Sequence, residues 1–313
     1  MWSILQPPKI HFGKGVASNY DYPNEILIIT SRGAKSRGWT DYLKIKNFFI
    51  FDEVRPNPSI DITEKIISEF KNNKISHIIG LGGGSSLDVA KFVAYKMNKK
   101  KIMIPTTFGT GSEVTKISVL NVKGKKTSFH NEKILSDVAI VDSNFIKGTP
   151  MEIIRNSAID SCAQCTEAYD SKNSNPYTKF FCKTAFDVLE DGIINEDYKK
   201  LPYGSLLTGL GFGNSSTTLG HALSYVFSNE GTSHGHALAF TTTLSHKFND
   251  SKFYLRFKKL VKYLKFEPIY LEQDLDDAAE IILSDRKHLD FNPKAVTKND
   301  IKKILKKINE LNC

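Results

Sequence analysis

The feature that most constrains the fold is a regular alternation of apolar segments, turns and amphipathic stretches in the first half of the chain. Five segments rich in β-branched and aromatic residues predict strands: "EILIIT" (25–30), "NFFIFD" (47–52), "SHIIGLGGG" (76–84), "KIMIPTT" (101–107) and "VAIVDSN" (138–144). Several are apolar on both faces, which is typical of a buried parallel sheet. Between them, apolar residues at three- and four-residue spacing predict helices over 61–73 and 85–97. The alternation indicates a doubly wound α/β layer.

From about residue 151 the pattern changes to helical segments with almost no strand signal. Helices are predicted over 150–170, 176–193, 201–213, 253–264, 275–283 and 297–311. The last opens with Thr297 and Asp300 at capping-box spacing. A chain of 313 residues exceeds the size at which single cores stop growing, so two domains are expected. We predict an α/β domain over residues 1–148 and an all-helical domain over 149–313.

Composition narrows the class of protein. No run of about 18 apolar residues occurs, and the first residues lack the pattern of a signal peptide, which favours a soluble cytoplasmic protein. The net charge of +9 favours anionic ligands, but the lysines are spread over helix faces and loops and no nucleic-acid motif accompanies them. Neither nucleic acid nor a membrane is expected as a partner.

The four cysteines are too few and too clustered for a disulfide framework: Cys162, Cys165, Cys182 and Cys313. The "CAQC" pair has neither a second pair nor a thioredoxin-like context, so packing within a helix is favoured over redox or zinc chemistry. We predict reduced thiols.

Two glycine- and hydroxyl-rich loops follow predicted strands. In the first, Gly82, Gly83 and Gly84 permit close approach of a ligand to the backbone, and Ser85 and Ser86 open a helix whose N-terminus favours a diphosphate. In the second, "IPTTFGTGSEVTK" places Thr106, Thr107, Thr110 and Ser112 around two glycines. Each loop alone is compatible with a tight turn. Loops at the ends of neighbouring parallel strands face one crevice, so together they favour a dinucleotide.

Three of the eight histidines lie within residues 221–240: His221, His234 and His236. For each alone, core packing is the ordinary expectation. The five motifs "PNP" (56–58), "GGGSSLDVAK", "PTTFGTGSEVTK", "VDSN" and this histidine stretch, in that order, resemble the iron-containing, group III alcohol dehydrogenase family over nearly the whole chain.

The resemblance implies a Rossmann-like N-terminal domain, an architecture shared with dehydroquinate synthase, and NAD(P) held by the two loops. Matching positions for cofactor contacts are Gly83, Gly84, Ser85, Asp88, Thr106, Thr107 and Thr110, with Lys126 near the nicotinamide ribose. Asp88 is also suited to orienting the loop instead of touching the ligand. The Ser31 position, which is an acid in many NAD-preferring members, is neutral and is followed by Arg32, Lys35 and Arg37, so NADP(H) is favoured over NAD(H).

The resemblance also implies a divalent metal, Fe²⁺ or Zn²⁺, held by Asp160, His221 and His234. The family places a fourth ligand, a histidine, four residues after the aspartate, where this chain has Gln164. Either the site is degenerate, or it works with Asp and two His while Gln164 is a weak or outer ligand. Tyr225 is a candidate proton or hydrogen-bond donor, with core packing as its alternative, and His236 is assigned a supporting or structural role.

"DxxxQ" with the segments around the histidines resembles the phosphonoacetaldehyde reductase branch, which also carries Gln there. The predicted reaction is reduction of phosphonoacetaldehyde to 2-hydroxyethylphosphonate. Its alternatives are a succinic or malonic semialdehyde reductase, a general alcohol dehydrogenase, a sugar-phosphate lyase or polyol oxidase of the same fold, and a non-catalytic binding protein. The hydroxyl row Ser215, Ser216, Thr217 and Thr218 is either an N-cap or a site for the substrate's anionic group. A homodimer is compatible with the resemblance.

Overall fold

The computed structural model describes residues 1–310, so Cys313 and the last residue of the predicted C-terminal helix lie outside the described residues. Contacts divide the chain into two compact units. One is Ser3–Thr149, and the other begins at Pro150 and includes Met1–Trp2. The sequence placed the boundary between residues 148 and 149, and the division found here falls one residue later.

Within Ser3–Thr149, six strands form a parallel sheet in the order β1-β8-β5-β4-β2-β3. A separate antiparallel hairpin pairs β6 with β7. The strands are β1 (Lys9–Gly13), β2 (Ile26–Ile29), β3 (Phe48–Phe51), β4 (His77–Gly82), β5 (Lys100–Pro105), β6 (Ile117–Val122), β7 (Lys125–His130) and β8 (Val138–Asp142). The helices of this unit are α1 (Arg32–Ser36), α2 (Trp39–Tyr42), α3 (Ile60–Phe70) and α4 (Gly84–Lys96).

The sheet and its helices confirm the predicted fold class and the five predicted strands. All four residues of β2 are fully buried, as expected for a central strand covered on both faces. β1 was missed because it is a half-exposed strand at the sheet edge, paired with β8. The β6–β7 hairpin was missed because β7, "KKTSFH", is mostly polar and part-exposed.

Helix α4 is the centre of this unit. It packs against β4, β5 and β6, and residues 86–94 are buried along its whole circumference. Leu87, Val93 and Met103 belong to the apolar cluster that it shares with the sheet. The start of α4 is therefore held firmly at the carboxyl ends of β4 and β5.

The second unit is helical over the part of the chain that the structure describes. Its helices are α5 (Met151–Asp170), α6 (Pro176–Ile194), α7 (Leu201–Phe212), α8 (Leu219–Asn229), α9 (His234–Phe248), α10 (Tyr254–Tyr263), α11 (Leu275–Leu283), α12 (Arg286–Leu289) and α13 (Lys298–Glu310). The predicted capping box is confirmed, since Thr297 and Asp300 exchange side-chain to backbone hydrogen bonds. Among residues 1–310, every helix is either too short or too polar to span a bilayer.

Helix α5 is the core of this unit, packed against α6, α7 and α9 and buried from Ala158 to Ala168. Cys162, Cys165 and Cys182 are free and buried, which confirms that they form no disulfide with one another. Burial raises the pKa of Cys165 to about 12 and raises that of Cys162 well above its usual value, so both thiols stay protonated and inert. The structure thus supports packing as the role of "CAQC".

Candidate functional site

Three helices bring Asp160, His221 and His234 together. Asp160 lies in the middle of α5, His221 in the first turn of α8, and His234 is the first residue of α9. Their nearest ligand-type atoms all lie within 4.8 Å of one another. The Nε2 atoms of both histidines are 4.0 Å from Asp160 Oδ1. One carboxylate oxygen and two imidazole nitrogens therefore converge on one point, as a divalent metal requires.

The other ring nitrogen of His221 is held by Glu167, a residue that the sequence analysis missed. His221 Nδ1 is 2.5 Å from Glu167 Oε2, and both side chains are buried. The carboxylate holds the proton on Nδ1, so the Nε2 lone pair points toward Asp160 and His234. A carboxylate behind a histidine in this way is a recurrent feature of metal sites in proteins.

Glu167 is kept ionised by its surroundings. Its carboxylate accepts hydrogen bonds from the Thr218 hydroxyl, from the backbone N–H of Gly220 and from two neighbouring N–H groups at the start of α8. Burial alone would raise the pKa of Glu167, but the hydrogen bond and charge of His221, helped by His246 and Thr218, lower it to about 2. Gly220 is required here, because a Cβ would lie 2.8 Å from Glu167 Oε1 and 2.7 Å from Thr242 Oγ1.

A metal fits this cluster. His221 Nε2 and Gln164 Oε1 are buried and have no hydrogen-bond partner among the described residues. A buried polar atom without a hydrogen-bond partner carries a desolvation penalty unless it binds a ligand. Gln164 Nε2 donates to Asp160 Oδ1 at 2.9 Å, so the amide orients the carboxylate. The donor set of one carboxylate and two imidazoles suits Fe²⁺ and Zn²⁺ alike.

His234 reaches the cluster because Gly235 follows it. A Cβ on Gly235 would lie 2.3 Å from the Asn156 carbonyl oxygen, so only glycine allows the start of α9 to approach α5 this closely. The Ser224 hydroxyl lies 3.4 Å from His234 Nδ1, at the outer limit of a hydrogen bond. The close packing of α9 on α5 thus explains why a glycine follows His234.

An aromatic and basic group lies beside the cluster. The Tyr225 ring is parallel to that of His234, with an interplanar angle of 8° and centroids 6.1 Å apart. His288 stacks on His221 at 6.2 Å and lies 5.6 Å from Tyr225, and its Nδ1 atom is 2.7 Å from Asp285 Oδ2. Lys287 Nζ is 5.4 Å from the Tyr225 ring centroid. The sequence analysis found Tyr225 but missed His288 and Lys287.

Three hydroxyls of the row before α8 have partners within the fold. Ser215 Oγ donates to the Ala168 carbonyl, Ser216 Oγ to the Thr217 carbonyl, and Thr218 Oγ1 to Glu167. Thr217 is buried. The anion at this helix N-terminus is the protein's own Glu167, which favours a structural use of the row. A substrate anion site at Ser215, Ser216, Thr217 and Thr218 stays a prediction.

His236 lies outside the cluster. Its Nε2 atom is 2.5 Å from the Glu267 carbonyl oxygen, and its ring packs against Phe240 and Phe266. These contacts agree with a structural role.

The two glycine-rich loops lie side by side in the first unit, because they follow the adjacent strands β4 and β5. A Cβ on Gly83 would lie 2.9 Å from Thr107 Oγ1, and one on Gly84 would lie 2.7 Å from Thr110 Cγ2. Gly82 has φ +150°, a conformation that other residues rarely adopt. Gly83 is the N-cap of α4 and offers no side chain to its first N–H groups, which suits an anionic ligand.

Asp88 and Ser112 meet beneath these loops. Ser112 Oγ donates to Asp88 Oδ1 at 2.6 Å, and Val119 N donates to Asp88 Oδ2. Lys91, which is fully buried, donates to the carbonyls of Ser112 and Ile117 and lies 3.3 Å from Asp88. These contacts support the loop-orienting alternative for Asp88, and they show Lys91 as a positioning residue that sequence reasoning missed.

The remaining predicted cofactor residues lie on different elements. Thr106 is buried directly after β5, Ser85 lies in the first turn of α4, and Lys126 lies on β7. Ser31 is the N-cap of α1 and accepts from Ala34 N. The cations behind Ser31 are partly neutralised by acids that follow β3: Arg32 pairs with Glu53 and Lys35 with Asp52.

Comparison with known proteins matches both units to one family. The sequence model described as iron-containing alcohol dehydrogenase matches residues 7–143, and the one described as Fe-containing alcohol dehydrogenase family, C-terminal, matches residues 155–284. Long-chain-alcohol dehydrogenase 1 of Geobacillus thermodenitrificans is 32% identical over 264 residues, which cover 71% of this chain and 67% of that protein. 4-Hydroxybutyrate dehydrogenase of Clostridium kluyveri is 33% identical over 196 residues, 54% of this chain and 53% of that one. The matches thus span about half to two thirds of these curated relatives.

Solved structures share the fold over nearly the whole chain. Sulfoacetaldehyde reductase from Bifidobacterium kashiwanohense, in complex with NAD⁺, superposes with a TM-score of 0.89 at 22% identity and 99% coverage of both chains. An iron-containing alcohol dehydrogenase from Thermotoga maritima gives a TM-score of 0.87 at 23% identity, covering 99% of this chain and 100% of that one.

Proposed function

Because the chain belongs to the iron-containing alcohol dehydrogenase family, we propose that it reduces a small aldehyde with an anionic tail to a primary alcohol, using NAD(P)H and one divalent metal. The observation that carries the proposal is the buried convergence of Asp160, His221 and His234, with the His221 Nε2 atom unpartnered among the described residues. A fold-stabilising histidine would have both nitrogens satisfied.

The proposed ligands are Asp160, His221 and His234. When bound there, Fe²⁺ or Zn²⁺ supplies a Lewis acid for the aldehyde oxygen. Glu167 fixes the tautomer and orientation of His221, and Gln164 orients Asp160 through its amide N–H. We propose that Gln164 is an outer residue whose Oε1 atom is a weak additional metal ligand, so the site does not need the histidine that is the family's fourth ligand.

Tyr225 is the proposed proton donor. Burial raises the pKa of Tyr225 far above its usual value, and the charges of Asp285, Asp160 and Glu167 raise it further. The phenol therefore keeps its proton at neutral pH, beside His234. It can donate a hydrogen bond to the substrate oxygen and pass on its proton as the alcohol forms.

The dinucleotide, which supplies the hydride when bound, is assigned to the two loops. Gly82, Gly83, Gly84 and Ser85 offer backbone N–H groups at the start of α4, and the row Thr106, Thr107, Thr110 and Ser112 borders them, with Lys126 nearby by resemblance. We propose NADP(H) over NAD(H) because Ser31 presents no carboxylate to a 2′-phosphate. Glu53 pairs with Arg32 and Asp52 with Lys35, so these cations are less available to a 2′-phosphate. The expected preference for NADP(H) over NAD(H) is therefore small.

Two aldehydes lead the proposed substrates. Phosphonoacetaldehyde comes first, because the chain resembles the phosphonoacetaldehyde reductase branch of the family in having glutamine at position 164. Succinic semialdehyde comes second, because the C. kluyveri relative is named for 4-hydroxybutyrate, the alcohol that corresponds to that aldehyde. Both carry an anion at the end opposite the carbonyl.

The test is oxidation of NADPH and NADH by purified protein with each aldehyde, after chelation and after reloading with Fe²⁺ or Zn²⁺. We expect turnover that chelation removes and that reloading restores, and His234→Ala is expected to abolish it. The matched control is His236→Ala, which is expected to retain turnover because His236 lies outside the cluster. Turnover that persists without metal, or in His234→Ala, would refute the proposal.

A further inference from the structure

A cation is positioned beside the proposed metal site. Lys287 lies on α12, which packs against α8, the helix that carries His221 and Tyr225. Its ammonium is 5.4 Å from the centroid of the Tyr225 ring, and the His234 ring is parallel to that ring with centroids 6.1 Å apart. The proposed ligand His234, the Tyr225 ring and the Lys287 ammonium therefore follow one another in this order.

Lys287 lies among other charged side chains, and the charge of Asp285 acts on Lys287 as well as on Tyr225. The Asp285 carboxylate accepts from His288 at 2.7 Å, and the neighbouring Arg286 is paired with Asp290. Lys287 as a residue is exposed to solvent, so its ammonium is accessible to an anion. Partial burial lowers the pKa of Lys287, and the charge of Asp285 opposes this shift.

We infer that Lys287 binds the anionic tail of the substrate and thereby selects anionic aldehydes over neutral ones. The inference rests on the proposed function and names the residue that determines its substrate class. It places the substrate's anionic group at Lys287, as an alternative to the hydroxyl row before α8.

A substrate held at both ends must extend from the proposed ligands past the Tyr225 ring to Lys287. A four-carbon semialdehyde spans about 5 Å between its carbonyl and its carboxylate, judged from ordinary C–C bond lengths. The aldehyde end would lie at the ligands and the chain along the Tyr225 ring, which offers an apolar face. The four-carbon stem of lysine lets its ammonium adjust to a carboxylate or a phosphonate.

The direct test compares succinic semialdehyde with butanal, which has the same carbon count and no charge. In Lys287→Gln we expect kcat/KM for succinic semialdehyde to fall about tenfold to a hundredfold, as for loss of a charged hydrogen bond, while that for butanal changes less than twofold. Lys287→Arg should keep most of the preference. Arg286→Gln is the matched control: it removes the same charge one residue away and is expected to leave the ratio unchanged.

A second readout does not depend on turnover. Calorimetric binding of 4-hydroxybutyrate to the zinc-loaded protein should weaken by a similar factor in Lys287→Gln, but not in Arg286→Gln. An equal effect on the anionic and neutral aldehydes, or no effect on either, would overturn the inference while leaving the proposed reaction intact. Failure of the wild type to bind 4-hydroxybutyrate would also overturn it. If no aldehyde is reduced but Lys287→Gln still weakens 4-hydroxybutyrate binding, the reaction fails and the anion site stands.

Discussion

At the scale of single residues, Glu167 decides whether His221 is a ligand. Its carboxylate binds the N–H groups at the start of α8 and the Nδ1 atom of His221 together. One buried anion therefore caps a helix, fixes a tautomer and orients a ring. The polar atoms around His221 are arranged for Nε2 to face Asp160 and His234.

Glu167→Gln tests this arrangement. The amide has one acceptor oxygen instead of two and presents N–H groups to donors that now lack a partner, so His221 loses its fixed orientation. We expect affinity for Zn²⁺ or Fe²⁺ to fall 10- to 100-fold. The measurement is a metal titration against a competing chelator. An unchanged affinity in a folded variant would refute the role assigned to Glu167.

Gln164→His tests the departure from the family. Asp160 and residue 164 lie one turn apart on α5, and the Gln164 amide already contacts Asp160. An imidazole there would add the fourth ligand, so metal affinity should rise at least tenfold, because imidazole binds these metals better than an amide does. Gln164→Leu is the matched control and should lower affinity, since Asp160 loses its donor. Equal affinities in all three proteins would show that residue 164 takes no part in the site.

The resemblance identified Asp160, His221 and His234, and the structure brings them together. Glu167 had a readable signal, because positions 160, 164 and 167 form one polar stripe on a buried helix face. Lys287 and His288 had none, since α12 is only four residues long and its approach to α8 is a tertiary contact. Local patterns cannot reveal contacts between residues more than 60 positions apart.

At the scale of elements, α4 and the loop after β5 form one unit around Lys91. This buried ammonium donates to backbone carbonyls of residues 112 and 117 and pairs with Asp88. The strand–loop–helix elements could be predicted because the hydrophobic periodicity of each one is contained in a short segment of the sequence. It missed the hairpin that follows, because β6 and β7 are stabilised by pairing with each other and by packing on α4.

Lys91→Met is expected to destabilise this unit by about 3–5 kcal/mol, because it leaves Asp88 buried without its cation and several carbonyls without a donor. Lys96→Met on the same helix is the control, and an exposed lysine there should cost about 0.5 kcal/mol or less. Chemical denaturation of the two variants measures the difference. Equal stabilities would contradict the role given to Lys91.

At the scale of the whole molecule, we expect the stability of the helical unit to depend on pH through a group that is not one of the proposed metal ligands. His246 is buried on α9 and its Nε2 atom is 2.8 Å from Thr166 Oγ1. Burial lowers the pKa of His246 to about 4, although Glu167 opposes the shift. The ring is therefore neutral in the folded protein at pH values where the unfolded chain, with a pKa near 6.5, takes up a proton.

Because the unfolded state binds more protons below pH 6.5, the free energy of unfolding should decrease as the pH falls from 6.5 toward 4. Between pH 7 and pH 5 this one group contributes a loss of about 2 kcal/mol. Denaturation of wild type and His246→Gln at both pH values, with chelator present, measures it. The variant should lose correspondingly less stability on acidification, and an identical loss would contradict the assignment.

We propose that Asp160, His221 and His234 together hold one divalent metal. The measurement that tests this is the metal content of protein reloaded with Zn²⁺ and dialysed, for wild type, His221→Ala, His234→Ala and the control His236→Ala. We expect one ion per chain in the wild type and the control, and loss of the ion in the other two variants. An ion retained in both His221→Ala and His234→Ala, or no ion in the folded wild type, would contradict it.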